Sequence, residues 1–342
     1  MPHRLQELDA LRGLAALGVL FCHFASTCHR LSILPCDFRY GAYGPHLFFM
    51  ISGFVILMTL TRTEHAADFI VSRFSRLYPV YWACIAVTLA VFCAFPSGEP
   101  LPTSKEVCIN LSMLQSWIHV PDLQVSYWTL GVELRFYFIM FLIYLTGRIR
   151  SIEPFVLVWL GLIVVYRLAA ALGAPSLSPV KVALIANFAH LFAAGILFYQ
   201  LKMVGHHWSR HALLAVCLAL QVAAGSWESV AMVTSFFVLF YLFVFNRLGW
   251  IAVRPMVYLG AISYSLYLIH GCIGEACIPR LPGLWGWPAL TMAVPLLLSL
   301  AAAALITHGV EQPALRLIRS RYKSWRPQLL RVFRKPKESR AD

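Results

Sequence analysis

Charge is what this sequence has least of. Only 13% of its 342 residues are charged and 60% are hydrophobic, whereas a soluble domain is nearer a quarter charged and half apolar. An ordinary soluble enzyme is therefore excluded. Segments of about ten residues alternating apolar and polar, the mark of an outer-membrane barrel, are absent as well. The nine cysteines contain no CxxC pair, so neither a thiolate zinc site nor a dithiol redox centre is signalled. No internal repeat occurs, and no stretch between apolar runs is long enough for a soluble domain.

What the chain does have is apolar runs about as long as a helix needs to cross the roughly 30 Å of hydrocarbon in a bilayer. They lie near 11–29, 46–60, 79–95, 126–146, 154–173, 182–200, 211–225, 229–246, 255–277 and 288–308. The fold class is therefore all-α: a polytopic membrane protein of about ten spans. Residues 1–313 form one membrane-embedded domain and 314–342 a basic tail. The loop at 96–125 has an amphipathic middle that suits a short interfacial helix.

Basic residues set the orientation. With the N-terminus cytoplasmic, 21 of the 28 lysines and arginines fall in inner segments or the tail, so the positive-inside rule puts both termini inside. The tail, RLIRSRYKSWRPQLLRVFRKPK, sits most simply on the anionic inner leaflet. No nucleic-acid recognition fold accompanies it. The N-terminal run resembles a signal peptide, but no small-residue cleavage site follows it, so it reads as a retained span. Cys28, Cys36, Cys93 and Cys108 fall towards the outer side, where an oxidising compartment would permit a disulfide. His206, His207 and His211 lack carboxylate or cysteine neighbours, so no metal site is assigned.

The first run, LDALRGLAALGVLFCHF (8–24), carries Asp9 and Arg12 at its entrance and His23 well inside. Eleven helical residues turn through about 1100°, roughly 20° from three full turns, so Arg12 and His23 share a face about 16 Å apart. Asp9, one turn before Arg12, can pair with it. An intramembrane ionisable group is a functional candidate by default. The plain alternative is a neutral histidine hydrogen-bonded between helices. Cys22, adjacent to His23, points about 100° away on the helix and reads as packing.

Arg73 and Arg76, spaced i, i+3 on the cytoplasmic side, present two guanidiniums whose forks match phosphate oxygens. They would serve equally as positive-inside anchors. Glu133 lies roughly 8 Å into a span entered from outside, where a carboxylate needs a partner or a wet cavity. Arg135, two positions on, faces elsewhere. Ser263, Tyr267 and His270 fall at about 0°, 40° and 340° on one helical face, suited to substrate contact or to interhelical hydrogen bonds. Glu311, beside Pro313, reads as a helix terminus or the partner of an inner arginine.

These residues sit in motifs whose order resembles the acyltransferase 3 family of integral-membrane O-acyltransferases. LDALRGLAALGVLFCHF is similar to its opening Arg–ten residues–His signature. HLFFMISGFVI (46–56), RFSRLYPVYW (73–82), WTLGVELRFY (128–137), LGAISYSLYLIH (259–270) and VEQPALRL (310–317) resemble its later segments. Thr129 stands where the family has serine in its Trp-Ser-Leu-x-x-Glu stretch. The resemblance implies acyl-coenzyme A, acetyl by default, as a donor substrate rather than a bound cofactor. It also implies a hydroxyl acceptor on a cell-surface or exported glycan, and a multi-pass place in a bacterial inner membrane.

On that reading Arg73 and Arg76 hold the donor's phosphates and His23 serves as general base or transient acyl carrier. Arg12, Glu133 and His270 assist in catalysis, while Ser263 and Tyr267 meet substrate. Two other readings stand beside it: the same chemistry on a small glycosylated metabolite or lipid-linked sugar, and a transporter or flippase with an intramembrane His/Glu relay.

Overall fold

The computed structural model describes residues 5–96, 100–173, 178–284 and 286–332. Arg4 and the end of the basic tail, 333–342, lie outside the described residues. Among the described residues no β-strand occurs. Thirteen α-helices follow in order: α1 (Gln6–Arg30), α2 (Gly44–Leu60), α3 (Ala66–Ala94), α4 (Ser104–Leu111), α5 (Trp128–Leu145), α6 (Glu153–Ala171), α7 (Ser178–Ala183), α8 (Ala189–Met203), α9 (Trp208–Val222), α10 (Trp227–Val244), α11 (Arg254–Cys277), α12 (Pro288–Ile306) and α13 (Gln312–Val332). A single π-helical turn, Thr307–Glu311, joins α12 to α13.

Eight of these helices, α1, α2, α3, α5, α6, α10, α11 and α12, belong to segments long and apolar enough to cross a membrane. The protein is an integral membrane protein, all-α as its composition requires. Of the expected runs, two give shorter helices. The runs near 182–200 and 211–225 yield α8 and α9, each of 15 residues. At 1.5 Å per residue these reach only about 22 Å. The first run is interrupted because Ile185 takes a left-handed φ of 53°, a conformation a β-branched residue seldom adopts. The carbonyls freed there have partners: Trp159 Nε1 donates to Leu184 O at 2.9 Å and Arg167 donates to Ala186 O at 3.2 Å. Irregular backbone at membrane depth needs this kind of satisfaction by neighbouring protein groups.

The expected interfacial helix is α4. It starts with a capping box in which the Thr103 hydroxyl accepts from Glu106 N–H and the Glu106 carboxylate accepts from Thr103 N–H. All nine cysteines are free, Cys28 buried and Cys36, Cys93 and Cys108 exposed.

The bundle is layered. In α1, 67% of the apolar window is buried, and in α2 and α11 61%, against 22% in α6. The first three are therefore central, and α6 turns Leu157, Val158, Leu162 and Val165 outward as a lipid-facing surface. Without a hydrophobic force between helices in lipid, close approach of small residues provides the contact. Gly13 and Gly260 bring α1 against α11: a Cβ on Gly260 would collide with the Asp9 carbonyl. Gly53 and Gly195 do the same for α2 and α8, where a Cβ on Gly195 would strike Met50 O. Gly260→Val is expected to cost about 2 kcal/mol through overpacking, read as a lower unfolding temperature of the purified protein. An unchanged temperature would mean the crossing tolerates a side chain.

The tail folds back on the bundle. Tyr322 OH donates to Asp68 at 2.7 Å, and Arg326 donates to Glu64 at 2.9 Å and to Asp68 at 3.0 Å. The start of α3 and the facing side of α13 thus share one end of the bundle.

Candidate active site

One cavity runs into the bundle between α1, α2, α3, α5 and α11. Its charged end is lined by Arg12, Arg73 and Arg76, its middle by Ser52, Glu133 and Tyr137, and its head by Thr129, Ser263 and Tyr267. It encloses unfilled space of about 780 Å³, counting its open mouth. The sequence separates these residues by up to 255 positions; the fold collects them, with small-residue crossings holding α1 against α11 and α2 against α8.

Glu133 is tied down by two hydroxyls. Ser52 Oγ and Tyr137 OH both donate to its Oε1, each at 2.5 Å. A carboxylate at this depth accordingly has polar partners and a cavity beside it, as its burial requires. Tyr137 also lies under the Arg73 guanidinium, 5.9 Å from ring centroid to Cζ. One tyrosine therefore links the cation to the carboxylate. Arg135, as its position implied, faces away: it donates to Ser116 Oγ at 2.9 Å and covers the Trp117 ring.

The two arginines of the i, i+3 pair share the cavity but differ in partners. Arg76 forms an ion pair with Glu311, whose side chain is 2% exposed, and lies 5.8 Å over the Tyr264 ring. Glu311 is thus the partner of an inner arginine, one of the two roles its position suggested. Arg73 has no carboxylate among the described residues: it donates to Ser72 Oγ at 3.1 Å, and its Nε is buried without a hydrogen bond. Arg12 stands 3.7 Å from Asp9, the pair expected from their spacing.

His23 and His270 meet beyond the cavity's head. Their ring centroids are 5.1 Å apart with the planes at 82°, an edge-to-face contact. His270 Nδ1–H donates to Leu266 O at 3.2 Å. Because a carbonyl can only accept, this bond puts the proton on Nδ1 and leaves Nε2 as an acceptor. Nε2 is buried and unpartnered. Neither histidine lines the cavity, although the resemblance implies a part in catalysis for both. The intervening group is Tyr267. It lines the cavity, accepts a hydrogen bond from Thr129 Oγ1 at 3.1 Å and lies 5.9 Å from the His270 ring. Ser263 lines the same head, with its hydroxyl donating to Gly260 O at 2.9 Å. Cys22 packs towards Gly41 instead of facing the histidines.

Ser52, Tyr137 and Tyr264 belong to the site and had no place in the sequence reading. Tyr137 was recoverable, because it lies one helical turn from Glu133 and side chains at i, i+4 meet. Ser52 is an ordinary small polar residue in an apolar helix, without a local signal. Among the described residues no group of three or more His, Cys, Asp or Glu is placed to hold a metal ion.

Three relatives share parts of this chain. It is 28% identical over 154 residues to Acyltransferase MdmB of Streptomyces mycarofaciens, covering 40% of this chain and 39% of that protein. It is 33% identical over 110 residues to Protein 2 in picA locus of Rhizobium radiobacter, covering 30% and 53%. It is 36% identical over 89 residues to Nodulation protein 10 of Rhizobium leguminosarum bv. viciae, covering 25% and 24%. The chain thus spans between about a quarter and a half of the length of these relatives. No solved structure matches it. The acyltransferase-domain family, acyltransferase 3, matches residues 5–308, which takes in the cavity and both histidines, and the chain belongs to that family.

Proposed function

We propose that the protein is an O-acyltransferase of a bacterial inner membrane that moves an acetyl-type group from cytoplasmic acyl-coenzyme A to a hydroxyl of a cell-surface or exported glycan. The observation that carries this reading is the single cavity joining a cationic end to a head one tyrosine away from paired histidines. A phosphorylated thioester has matching parts: anionic phosphates for the arginines, and a long uncharged arm for a cavity walled by Phe48, Val55 and Leu77.

His23 is the base. Its imidazole takes the proton of the acceptor hydroxyl as that oxygen attacks the thioester carbonyl. The carbon–sulfur bond then breaks, and the departing thiolate receives the proton back from the imidazolium. His270, locked as the Nδ1–H tautomer, keeps its Nε2 lone pair available to steady His23 as it charges. Tyr267 must turn aside for the acyl group to pass from the cavity's head to this pair. The acceptor comes from the outer side, where the end of α1 carries polar groups: Ser26 donates to Asp37 at 2.7 Å and Arg30 donates to Thr27 at 3.2 Å.

The test is mass spectrometry of cell-surface and exported glycans from cells expressing wild type, cells expressing His23→Ala, and cells lacking the protein. An acyl-sized mass increment present with wild type alone is expected, and it names the group and the acceptor together. Identical glycans in all three, at equal protein levels, would remove the glycan from the proposal.

A further inference from the structure

The tail helix lays an arginine against α3. α13 presents Arg319, Tyr322 and Arg326 towards α3, within about 60° of one another on the helix. Two of the three find carboxylates there, on Asp68 and Glu64. Arg319, a turn nearer the cavity, finds none among the described residues; its Nε reaches Ser75 Oγ at 3.4 Å, the outer limit of a hydrogen bond. Arg73, which also lacks a carboxylate among the described residues, lies on the same stretch of α3. Ser72 and Ser75 lie between the two guanidiniums, with Ser75 Oγ donating to Ser72 O at 3.2 Å and Ser72 Oγ accepting from Arg73.

Two guanidiniums without a carboxylate among the described residues are thus held on the same Ser72–Ser75 pair of α3, an arrangement that gathers like charge on one stretch of the helix. The anchors on either side impose it: Arg326 on Glu64 and Asp68, and Glu311 on Arg76. The i, i+3 pair on α3 is meanwhile divided, because Glu311 already occupies Arg76. We infer that Arg319 of α13, acting with Arg73, forms the phosphate-binding clamp for the donor, and that Arg76 is a positioning residue beside it. The place suits a nucleotide-linked donor. Arg73 lines the main cavity, while the adjacent Ser72 lines a second groove on the same end of the bundle, together with Arg62, Asp68 and Arg326. Phosphates held at this junction leave the thioester arm in the cavity and the nucleotide in the groove.

This inference rests on the reading of the donor as acyl-coenzyme A, and the experiment separates the two. Coenzyme A and pantetheine, which lacks the phosphates, are titrated into the purified full-length protein in lipid nanodiscs. Wild type is expected to bind coenzyme A more tightly. Arg319→Gln is expected to weaken coenzyme A about tenfold or more, the usual scale for a charge-assisted phosphate contact, with pantetheine unchanged. Arg319→Lys keeps the charge without the fork and falls between. Arg321→Gln, an exposed tail arginine off the docking stripe, stays at the wild-type value. Arg319 is itself exposed, so its loss leaves the bundle folded. Wild-type affinity in Arg319→Gln alongside a loss in Arg73→Gln overturns the clamp and leaves the donor reading standing. An equal loss in Arg321→Gln also overturns it, by reducing the effect to general tail charge. Equal affinity of wild type for coenzyme A and pantetheine overturns the donor reading itself.

Discussion

Transfer by a His23→Ala variant is expected to fall about a thousandfold, within the 10²–10⁴ range of a positioned general base, while coenzyme A still binds. The two effects separate because His23 stands outside the cavity proposed for the donor, beyond Tyr267. Removing the imbedded imidazole leaves the cationic end untouched. His270→Ala is expected to lose less, about tenfold, because His270 acts through its neighbour and not on the reacting atoms. The check is a single-turnover assay with radiolabelled acetyl-coenzyme A in membranes of matched protein content. Transfer by His23→Ala within tenfold of wild type would remove His23 from the chemistry and shift attention to Glu133, the remaining intramembrane carboxylate of the site.

Glu311→Ala is expected to destabilise the protein by about 3 kcal/mol, because breaking a buried ion pair strands the surviving charge. The Arg76 side chain keeps 30% of its surface open, which places the cost at the lower end of the usual 3–5 kcal/mol range. A Glu311→Leu, Arg76→Met double variant is expected to recover most of the loss, since apolar groups of similar volume replace such pairs at little cost. Thermal unfolding of the three purified proteins in one detergent measures this. A single variant as stable as wild type would mean that water reaches the Arg76 guanidinium and solvates it once its partner is gone.

Residues related by helical spacing were legible in the sequence; those related by helix crossing were not. Arg12 with Asp9, Arg73 with Arg76, and Ser263 with Tyr267 each lie on one helix, where 100° per residue settles their relation. The hydroxyls on Glu133 show the difference. Tyr137 shares its helix and could be found from spacing. Ser52 comes from α2, and no periodicity within either segment specifies which residues of two helices meet. The break between α7 and α8 was equally hidden. Leu184–Phe188 is as apolar as a span, and the interruption depends on Trp159 and Arg167 accepting the task of satisfying its carbonyls. Hydropathy registers apolarity and length, so it counted this stretch as one crossing. The pairing of Arg76 with Glu311 lay between: the position suggested an arginine partner, and only the folded chain said which.

The π turn between α12 and α13 carries one more residue than an α turn in its place would. That surplus sets the angular phase of everything after it. Deleting one of residues 308–310 would rotate the downstream helix by about 100° and draw it in by about 1.5 Å, with every side chain of that helix retained. Arg319, Tyr322 and Arg326 would then swing off α3 together, and Glu311 would leave Arg76. Sequence length at this joint, not the chemistry of any residue in it, decides whether the tail helix meets α3, so a one-residue indel there is a more severe lesion than most substitutions along the helix it precedes.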